Sequence, residues 1–201
     1  VHALNPPTNR VALFKWFDAV LELPDGSNFP LTASHYTPGV LSPAPLPAHT
    51  SFTTTPWPTW HFTPTSEITL SLEILFLADS SCYAIRLHAE GAPKKSRVTL
   101  RPFTARCDFH ALQSHEATTT PSVAVTPGKV TLEYTPPLFF LTQAEFSSAP
   151  FWYENFLYEE ERSRGYDHVE DLFSCGTFSL SLTGPQSCLI TGVGDCDATR
   201  A

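Results

Sequence analysis

Short runs of alternating apolar and polar residues, separated by turns that contain proline or glycine, dominate this chain. A period of two is typical of a β-strand with one buried face. The clearest run is EITLSLEILFL (residues 67–77), whose apolar members recur at every second position: Ile68, Leu70, Leu72, Ile74 and Phe76. Comparable runs predict further strands at residues 10–24, 28–32, 82–89, 97–103, 122–126, 129–134, 138–143, 177–182 and 187–191.

Turn residues between these runs predict how the strands are connected. Asp25-Gly26 and Pro127-Gly128 are strong hairpin signals, and Gly184-Pro185 predicts a last hairpin. Gly91-Ala92-Pro93 predicts that residues 67–77, 82–89 and 97–103 form an antiparallel meander. Residues 37–49 carry four prolines, which are excluded from central strands, so we expect an extended surface loop there.

One segment departs from the strand pattern. Residues 151–173 (FWYENFLYEEERSRGYDHVEDLF) mix aromatic side chains with seven carboxylates, and Gly165 is a plausible helix stop. We interpret this segment as a long insertion that contains one short helix.

The number and spacing of the predicted strands indicate the fold class. Roughly a dozen short strands without a βαβ rhythm favour an all-β protein, an antiparallel two-sheet β-sandwich. Nineteen prolines and 15 phenylalanines, against nine glycines, agree with many interrupted strands. We find no internal repeat, and we expect a single domain over residues 1–201.

Composition and charge exclude several function classes. Charged residues make up 16% and hydrophobic residues 42%, which is typical of a folded chain. The formal net charge of −8 repels phosphate backbones, so we expect no nucleic-acid partner. Residues 26–66 contain no Asp, Glu, Lys or Arg, but eight prolines interrupt them, so we expect no membrane span and no membrane partner.

The five cysteines indicate the compartment. Their odd number and the absence of a CxxC spacing favour reduced thiols in a cytoplasmic protein and argue against a metal site. No Asn-x-Ser/Thr acceptor is present, so nothing in the sequence favours secretion.

The segment 151–173 is the first candidate site. Aromatic rings can cover the C–H faces of a sugar while carboxylates accept its hydroxyls. The alternative is a solvated helix with surface ion pairs. A third possibility is that Glu170 and Asp171 form a glycosidase pair, which requires carboxyl groups about 5–5.5 or 6.5–9.5 Å apart across a cleft. The candidates of this segment for substrate or domain contact are Trp152, Tyr153, Asn155, Tyr158, Glu161, Arg164, Asp167, Glu170 and Asp171.

Two shorter stretches are further candidates. In RPFTARCDFHAL (residues 101–112), Arg106, Asp108 and His110 alternate along an extended segment, which would direct all three to one side. They could form structural ion pairs or contact a ligand or another domain; they lack a nucleophile motif and are too few for a metal site. In PWPTWHF (residues 56–62), Trp57 and Trp60 could pack in the core or form a sugar-stacking platform.

Four stretches carry a resemblance to a known family: FPLTASHYTPGV, PWPTWHF, RPFTARCDFHAL and, above all, WYENFLYEEERSRGYDHVEDLFSCGTFSL. Together they resemble the N-terminal domain of the bacterial and archaeal type of glycogen debranching enzyme (amylo-α-1,6-glucosidase). The resemblance implies a supersandwich-like β-sandwich that precedes an (α/α)₆-barrel catalytic domain. It also implies that the barrel carries the catalytic carboxylates, that no cofactor is used, and that the partners are that catalytic domain and α-glucan (glycogen, limit dextrin).

The resemblance leads to one functional expectation and two alternatives. We expect a non-catalytic N-terminal domain that binds α-glucan and braces the barrel, in a chain that lacks the first strands and the barrel itself. One alternative is a small glycosidase or glucanotransferase that is active by itself through Glu170 and Asp171. The other is a purely structural module that docks on the barrel and never contacts glucan.

Overall fold

Sixteen β-strands and one short helix are found in the described residues, which are 2–5, 8–44, 49–77, 80–183 and 187–194 of a computed structural model. In chain order the elements are β1 (His2–Asn5), β2 (Thr8–Glu22), β3 (Asn28–Pro30), β4 (Ser34–Tyr36), β5 (Val40–Ser42), β6 (His49–Thr53), β7 (Thr59–Thr63), β8 (Thr69–Phe76), β9 (Cys82–Glu90), β10 (Arg97–Asp108), β11 (Val123–Thr126), β12 (Lys129–Leu132), β13 (Leu138–Leu141), β14 (Glu145–Leu157), α1 (Glu159–Ser163), β15 (Val169–Ser181) and β16 (Ser187–Gly192).

The strands form two antiparallel sheets that pack as a sandwich, which confirms the predicted fold class. The first sheet has the strand order β1-β2-β10-β15-β14-β4-β5, with β3 beside β2. The second sheet has the order β11-β12-β13-β16-β9-β8-β7-β6.

The main core lies between the two sheets and is built from alternate residues of their strands. Phe173 and Phe178 of β15 project into it from the first sheet, and Ile85 and Leu87 of β9 from the second. A second, smaller cluster lies on the opposite face of the first sheet and is formed by Phe103, Ala105, Phe156 and Leu172. The first sheet therefore buries side chains on both faces.

The observed pairing corrects two predicted connections. Strands β8 and β9 pair as expected, but β10 lies in the first sheet, so the Gly91–Pro93 turn leads from one sheet to the other and the three-stranded meander is wrong. The predicted last hairpin is also wrong, because β15 and β16 belong to different sheets; Gly184-Pro185 lies outside the described residues. An apolar-polar alternation identifies a strand but does not identify the sheet that it joins.

The segment 151–173 is also corrected. It is not an insertion that interrupts the strands, since its two ends are parts of the paired strands β14 and β15. Strand β14 was missed because the pattern of burial along it is irregular. Two register shifts interrupt its pairing with β15, and such bulges break the period of two.

The helix within this segment was predicted correctly. Helix α1 has only five residues and follows β14 directly. The backbone N–H of Gly165 donates to Arg162 O and that of Tyr166 to Glu161 O, both at 3.0 Å, which is a Schellman motif. Gly165 adopts the left-handed conformation that this motif requires, with φ of 76°.

The proline-rich residues 37–49 contain strand structure where only a loop was predicted. Strand β5 lies at the edge of the first sheet, and Pro38 and Pro43 lie outside the strand, one before it and one after it. Proline is tolerated at such positions because no hydrogen bond of a central strand is lost. Residues 45–48 lie outside the described residues.

Candidate functional site

Glu170 is a buried carboxylate on β15 with several polar partners. Its Oε1 lies 3.0 Å from Lys15 Nζ and accepts a hydrogen bond of 3.1 Å from the backbone N–H of Gln113. Its Oε2 accepts a bond of 2.6 Å from the Tyr158 hydroxyl. A buried charge is stable only when it is paired and hydrogen-bonded, and these three groups meet that condition.

Two neighbours of Glu170, Tyr158 and Cys107, have raised pKa values and are held in their protonated forms. Burial, with the adjacent Glu170 charge, raises the pKa of Tyr158 above its ordinary value. Burial also raises the pKa of Cys107, whose Sγ lies 3.9 Å from Glu170 Oε1. Tyr158 and Cys107 are therefore hydrogen-bond donors near neutral pH rather than nucleophiles or bases.

Asp171 fastens a loop onto the first sheet. Its Oδ2 accepts a hydrogen bond from the backbone N–H of His115 and its Oδ1 one from that of Asn155, both at 2.9 Å. The side chain of Gln113 adds two bonds, one to Asp171 O at 3.1 Å and one from the backbone N–H of Arg106 at 2.8 Å. Through these contacts residues 109–122, which we call the clamped loop, are held against β15.

Trp152 is part of the same attachment. Its side chain is buried, packs against Phe173 and stacks on the His115 ring at 4.6 Å with an interplanar angle of 18°. The indole N–H donates to Thr120 Oγ1 at 2.8 Å, and His115 Nδ1 lies 2.8 Å from Glu154 Oε1. Because the side chain is buried and His115 stacks on it, Trp152 offers no free face for a sugar.

The exposed aromatic surface of this region lies on the outer face of the first sheet. Phe151 is 63% exposed and contacts the half-buried Tyr153 edge to face at 5.2 Å. Arg101 lies over the Tyr153 ring, 5.4 Å from its centroid, and the Phe103 ring contacts Tyr153 edge to face with 5.1 Å between the centroids. We call Phe151, Tyr153 and Arg101 the outer-face patch.

The helix residues of the predicted site are solvated. Arg164, the residue that follows α1, lies 3.6 Å from Glu161 and 3.9 Å from Glu160, which are three and four residues before it. Asp167 is exposed and takes part in no ion pair within the described part of the chain. Exposed pairs of this kind contribute about 0–1 kcal/mol, so these side chains are free to rearrange for a partner.

Arg106, Asp108 and His110 do not come together as one cluster. The Arg106 guanidinium donates to Thr135 O at 3.0 Å, whereas Asp108 Oδ1 accepts the backbone N–H of His110 at 2.9 Å. The His110 ring lies 3.3 Å from the guanidinium of Arg10. Strand β10 ends at Asp108, so the predicted alternation does not continue to His110.

Trp57 and Trp60 lie on the other sheet. Trp60 is half-buried on β7 and packs against the main core, and its ring lies 4.8 Å from that of Phe52. Trp57 is 39% exposed and precedes β7. The structure thus separates these two residues from the region around Glu170, because β6 and β7 belong to the second sheet.

Sequence reasoning missed the partners that give Glu170 and Asp171 their surroundings. Lys15, Gln113 and His115 are far from them in sequence and carry no motif. Phe151 and Phe52 were missed because a single phenylalanine in a strand is most often a core residue. The one available signal was the polar run QSHEATTT after residue 112, which supplies the clamped loop.

The described residues contain neither a metal site nor a membrane-spanning helix. No group of three His, Cys, Asp or Glu side chains among them is arranged to hold a metal ion. None of their helices has the length and apolar character needed to cross a membrane.

Comparison with known proteins gives the family. A search of curated proteins returned no match. A family model described as "Glycogen debranching enzyme N terminal" matches residues 1–189, which is nearly the whole chain. The chain therefore belongs to the family of glycogen debranching enzyme N-terminal domains.

Proposed function

We propose that this chain is a non-catalytic domain that braces the catalytic domain of a glycogen debranching enzyme and contributes to α-glucan binding during glycogen breakdown. The parent enzyme is then a hydrolase of the amylo-α-1,6-glucosidase type, acting in the cytoplasm. The four described cysteines are free thiols, which suits that compartment.

The proposal that this domain is non-catalytic rests on the hydrogen bonds and the ion pair that Glu170 and Asp171 make within the protein. General acid or base catalysis needs a carboxyl group that can reach the substrate. The Glu170 carboxylate is buried among Lys15, Tyr158 and the clamped loop, and both Asp171 oxygens accept backbone N–H groups. These contacts support a structural role for both carboxylates, with cleavage carried out by another domain.

The outer-face patch supports the bracing role. A large exposed ring beside a stacked arginine is typical of an interface anchor, because aromatic and Arg side chains dominate binding energy at protein interfaces. Phe151 lies on β14, which is fixed on one side by its pairing with β15. A rigid support of this kind is what a docking surface needs, since little ordering entropy is lost on association.

The test of this function is association with the catalytic domain of the parent enzyme. The two domains are produced separately, and their dissociation constant is measured by calorimetry for the wild-type chain and for Phe151→Ser. We expect Phe151→Ser to weaken association by about tenfold, as for an interface anchor. Phe76→Ser is the matched control, because Phe76 is 72% exposed but lies on β8 of the second sheet.

Two results would contradict the proposal. Separate domains that fail to associate at all would remove the bracing role. Equal weakening by both substitutions would show that exposed phenylalanines affect association without a specific contact.

A further inference from the structure

An aromatic pair lies at one edge of the second sheet. Phe52 of β6 and Trp60 of β7 are directly opposite each other in the strand register. Their ring centroids are 4.8 Å apart and the ring planes are inclined by 45°. Phe52 is 51% exposed, and Trp60 is half-buried. We call these two residues the β6–β7 platform.

The platform is on the face of the sheet that elsewhere forms the core. Trp60 is opposite Leu72 and Phe62 is opposite Leu70 in the register, and Phe62, Leu70 and Leu72 are all buried. Directly opposite residues project to the same side of a sheet. The apolar face of the second sheet therefore continues outward to Phe52, where half of the ring remains in contact with solvent.

Strand β6 has an open side as well. It pairs with β7, and the described residues place no further strand beside it. An exposed apolar ring on a terminal strand is a position that proteins usually protect with charge or proline. Strand β6 itself carries no Asp, Glu, Lys, Arg or proline that could protect the ring in this way.

The composition around the platform points to the chemistry of its ligand. Residues 26–66 contain no Asp, Glu, Lys or Arg, in a chain whose net charge is −8. Threonine and serine are frequent in the same stretch, particularly in TSFTTT, residues 50–55. A segment of rings and hydroxyl groups without charge matches a neutral, hydroxyl-rich ligand, because it offers no ion pair of its own to an anionic ligand or to a charged protein surface.

We propose that the β6–β7 platform is a binding site for the α-1,4-linked chains of glucan, separate from the outer-face patch. This inference rests on the proposed function, which supplies glucan as the substrate of the parent enzyme. Rings cover the C–H faces of the sugar, and consecutive glucosyl units of an α-1,4 chain are inclined to each other because the chain is curved. The two rings of the platform are likewise inclined, by 45°, with the exposed Phe52 ring as the principal stacking surface and the half-buried Trp60 ring beside it.

Trp57 lies in the turn that leads into β7. It is 39% exposed and only three residues before Trp60. The Thr59 hydroxyl donates to Trp57 O at 2.9 Å, and Pro58 O accepts the backbone N–H of Ile74 at 3.0 Å. These bonds fix the turn that carries Trp57, an exposed ring three residues before Trp60 in the chain.

The experiment is affinity electrophoresis of the 201-residue chain in native gels that contain amylopectin, dextran or no polysaccharide. Wild-type chain should be retarded by amylopectin and not by dextran, whose linkages are mainly α-1,6. Phe52→Ala should raise the dissociation constant by between about twofold and tenfold, the range expected when one stacked ring is removed. Phe52→Tyr keeps the ring and should retain binding.

The control is again Phe76, which here lies on the same sheet as the residue tested. Phe76→Ala removes a ring that is 72% exposed at the end of β8, and it should leave retardation unchanged. Thermal unfolding of each variant shows whether it is folded; Phe52→Ala is preferred to a change of Trp60 because Trp60 packs against the main core.

Each other outcome would overturn the inference. Absence of retardation for the wild-type chain, or equal retardation of wild type and Phe52→Ala, would exclude a glucan site at the platform. Loss of association with the catalytic domain in Phe52→Ala would make the platform a domain interface instead. Failure of the proposed function is distinguishable, since it appears as absent association of the wild-type domains whatever the gels show.

Discussion

At the scale of single residues, Asp18 is the clearest case of a carboxyl group buried at a cost. It is 6% exposed, and its Oδ1 accepts a hydrogen bond of 3.2 Å from Ser34 Oγ. Burial raises the pKa of Asp18 to about 6, against the opposing effects of that bond and of the Arg101 charge. The folded state therefore binds a proton more tightly than the unfolded state does.

This property predicts how stability depends on pH. The pKa of Asp18 is about 4 in the unfolded state and about 6 in the folded state. Between these pH values the folded state binds more protons than the unfolded state. The contribution of Asp18 to the free energy of unfolding therefore falls as pH rises from about 4 to about 6. Asp18→Asn removes the titration. We expect the variant to match wild type at pH 4 and to be more stable by about 2–3 kcal/mol at pH 7.5.

Urea unfolding at both pH values measures this difference. Asp167→Asn is the control, because Asp167 is exposed. A stability difference between Asp18→Asn and wild type that is the same at pH 4 and pH 7.5 would contradict the predicted linkage.

The identities of single residues were not enough to predict the structure of the candidate site. The sequence shows that segment 151–173 is rich in carboxylates and aromatic rings. The burial and the partners of these side chains depend on residues that are distant in sequence. Glu170 is buried because Lys15 and Gln113 come from other parts of the chain. Alternation along a strand indicates which residues share a face, and it does not indicate which segment covers that face.

At the scale of elements, local signals predicted the strands and failed at the connections between sheets. The hairpin at Asp25-Gly26 was predicted correctly: Asp25 Oδ1 accepts the backbone N–H of Ser27 at 2.8 Å, and β2 pairs with β3. The hairpin at Pro127-Gly128 joins β11 and β12 as expected. A tight turn encodes its own pairing within a few residues, whereas a turn that leads to the other sheet depends on packing across the whole core.

Gly176 provides a test of the β14–β15 pairing. It lies on β15 with φ of 142°, and a Cβ atom there would overlap Ser147 O and lie 2.8 Å from the backbone N of Ala149. Gly176→Ala should therefore destabilise the fold by about 3 kcal/mol or more, because backbone atoms of β14 must shift in addition to the strain at φ.

The matched control is Gly165→Ala. Gly165 also has a positive φ, of 76°, but a Cβ atom there would meet nothing within 4 Å. Its substitution should cost only about 1 kcal/mol, the conformational penalty itself. Equal losses in chemical denaturation of the two variants would show that β14 does not approach Gly176 as closely as described.

At the scale of the whole molecule, the all-β class and the sandwich were predictable because they follow from many strands at once. A single wrong prediction, such as the placement of β10 in the same sheet as β8 and β9, does not change that conclusion. The extra cluster on the outer face of the first sheet was not predictable, since Phe103, Ala105 and Leu172 alternate with residues that also face a core. A strand buried on both faces loses the contrast on which periodicity depends.

The proposal that another domain carries out cleavage leads to a prediction for the isolated chain. Glycoside hydrolysis requires two carboxyl groups on either side of a bound sugar, one of which must be able to give up or take a proton. Glu170 and Asp171 instead hold the clamped loop to β15, and any sugar would have to displace Gln113 or His115 to reach them. The isolated 201-residue chain should therefore release no glucose from limit dextrin, as measured by a coupled glucose assay with the complete enzyme as positive control.

The informative variant in that assay is Asp171→Asn, which keeps one oxygen as an acceptor for the clamped loop. Release of glucose by the wild-type chain that disappears in Asp171→Asn, with thermal unfolding unchanged, would make this carboxylate catalytic and refute the structural role. Release that persists both in this variant and in Glu170→Gln would point to a contaminating hydrolase, since neither carboxylate is then available. Because the hydrogen bonds of Asp171 are made to backbone N–H groups, a loss of stability without any glucose release is the result that its role as an attachment predicts.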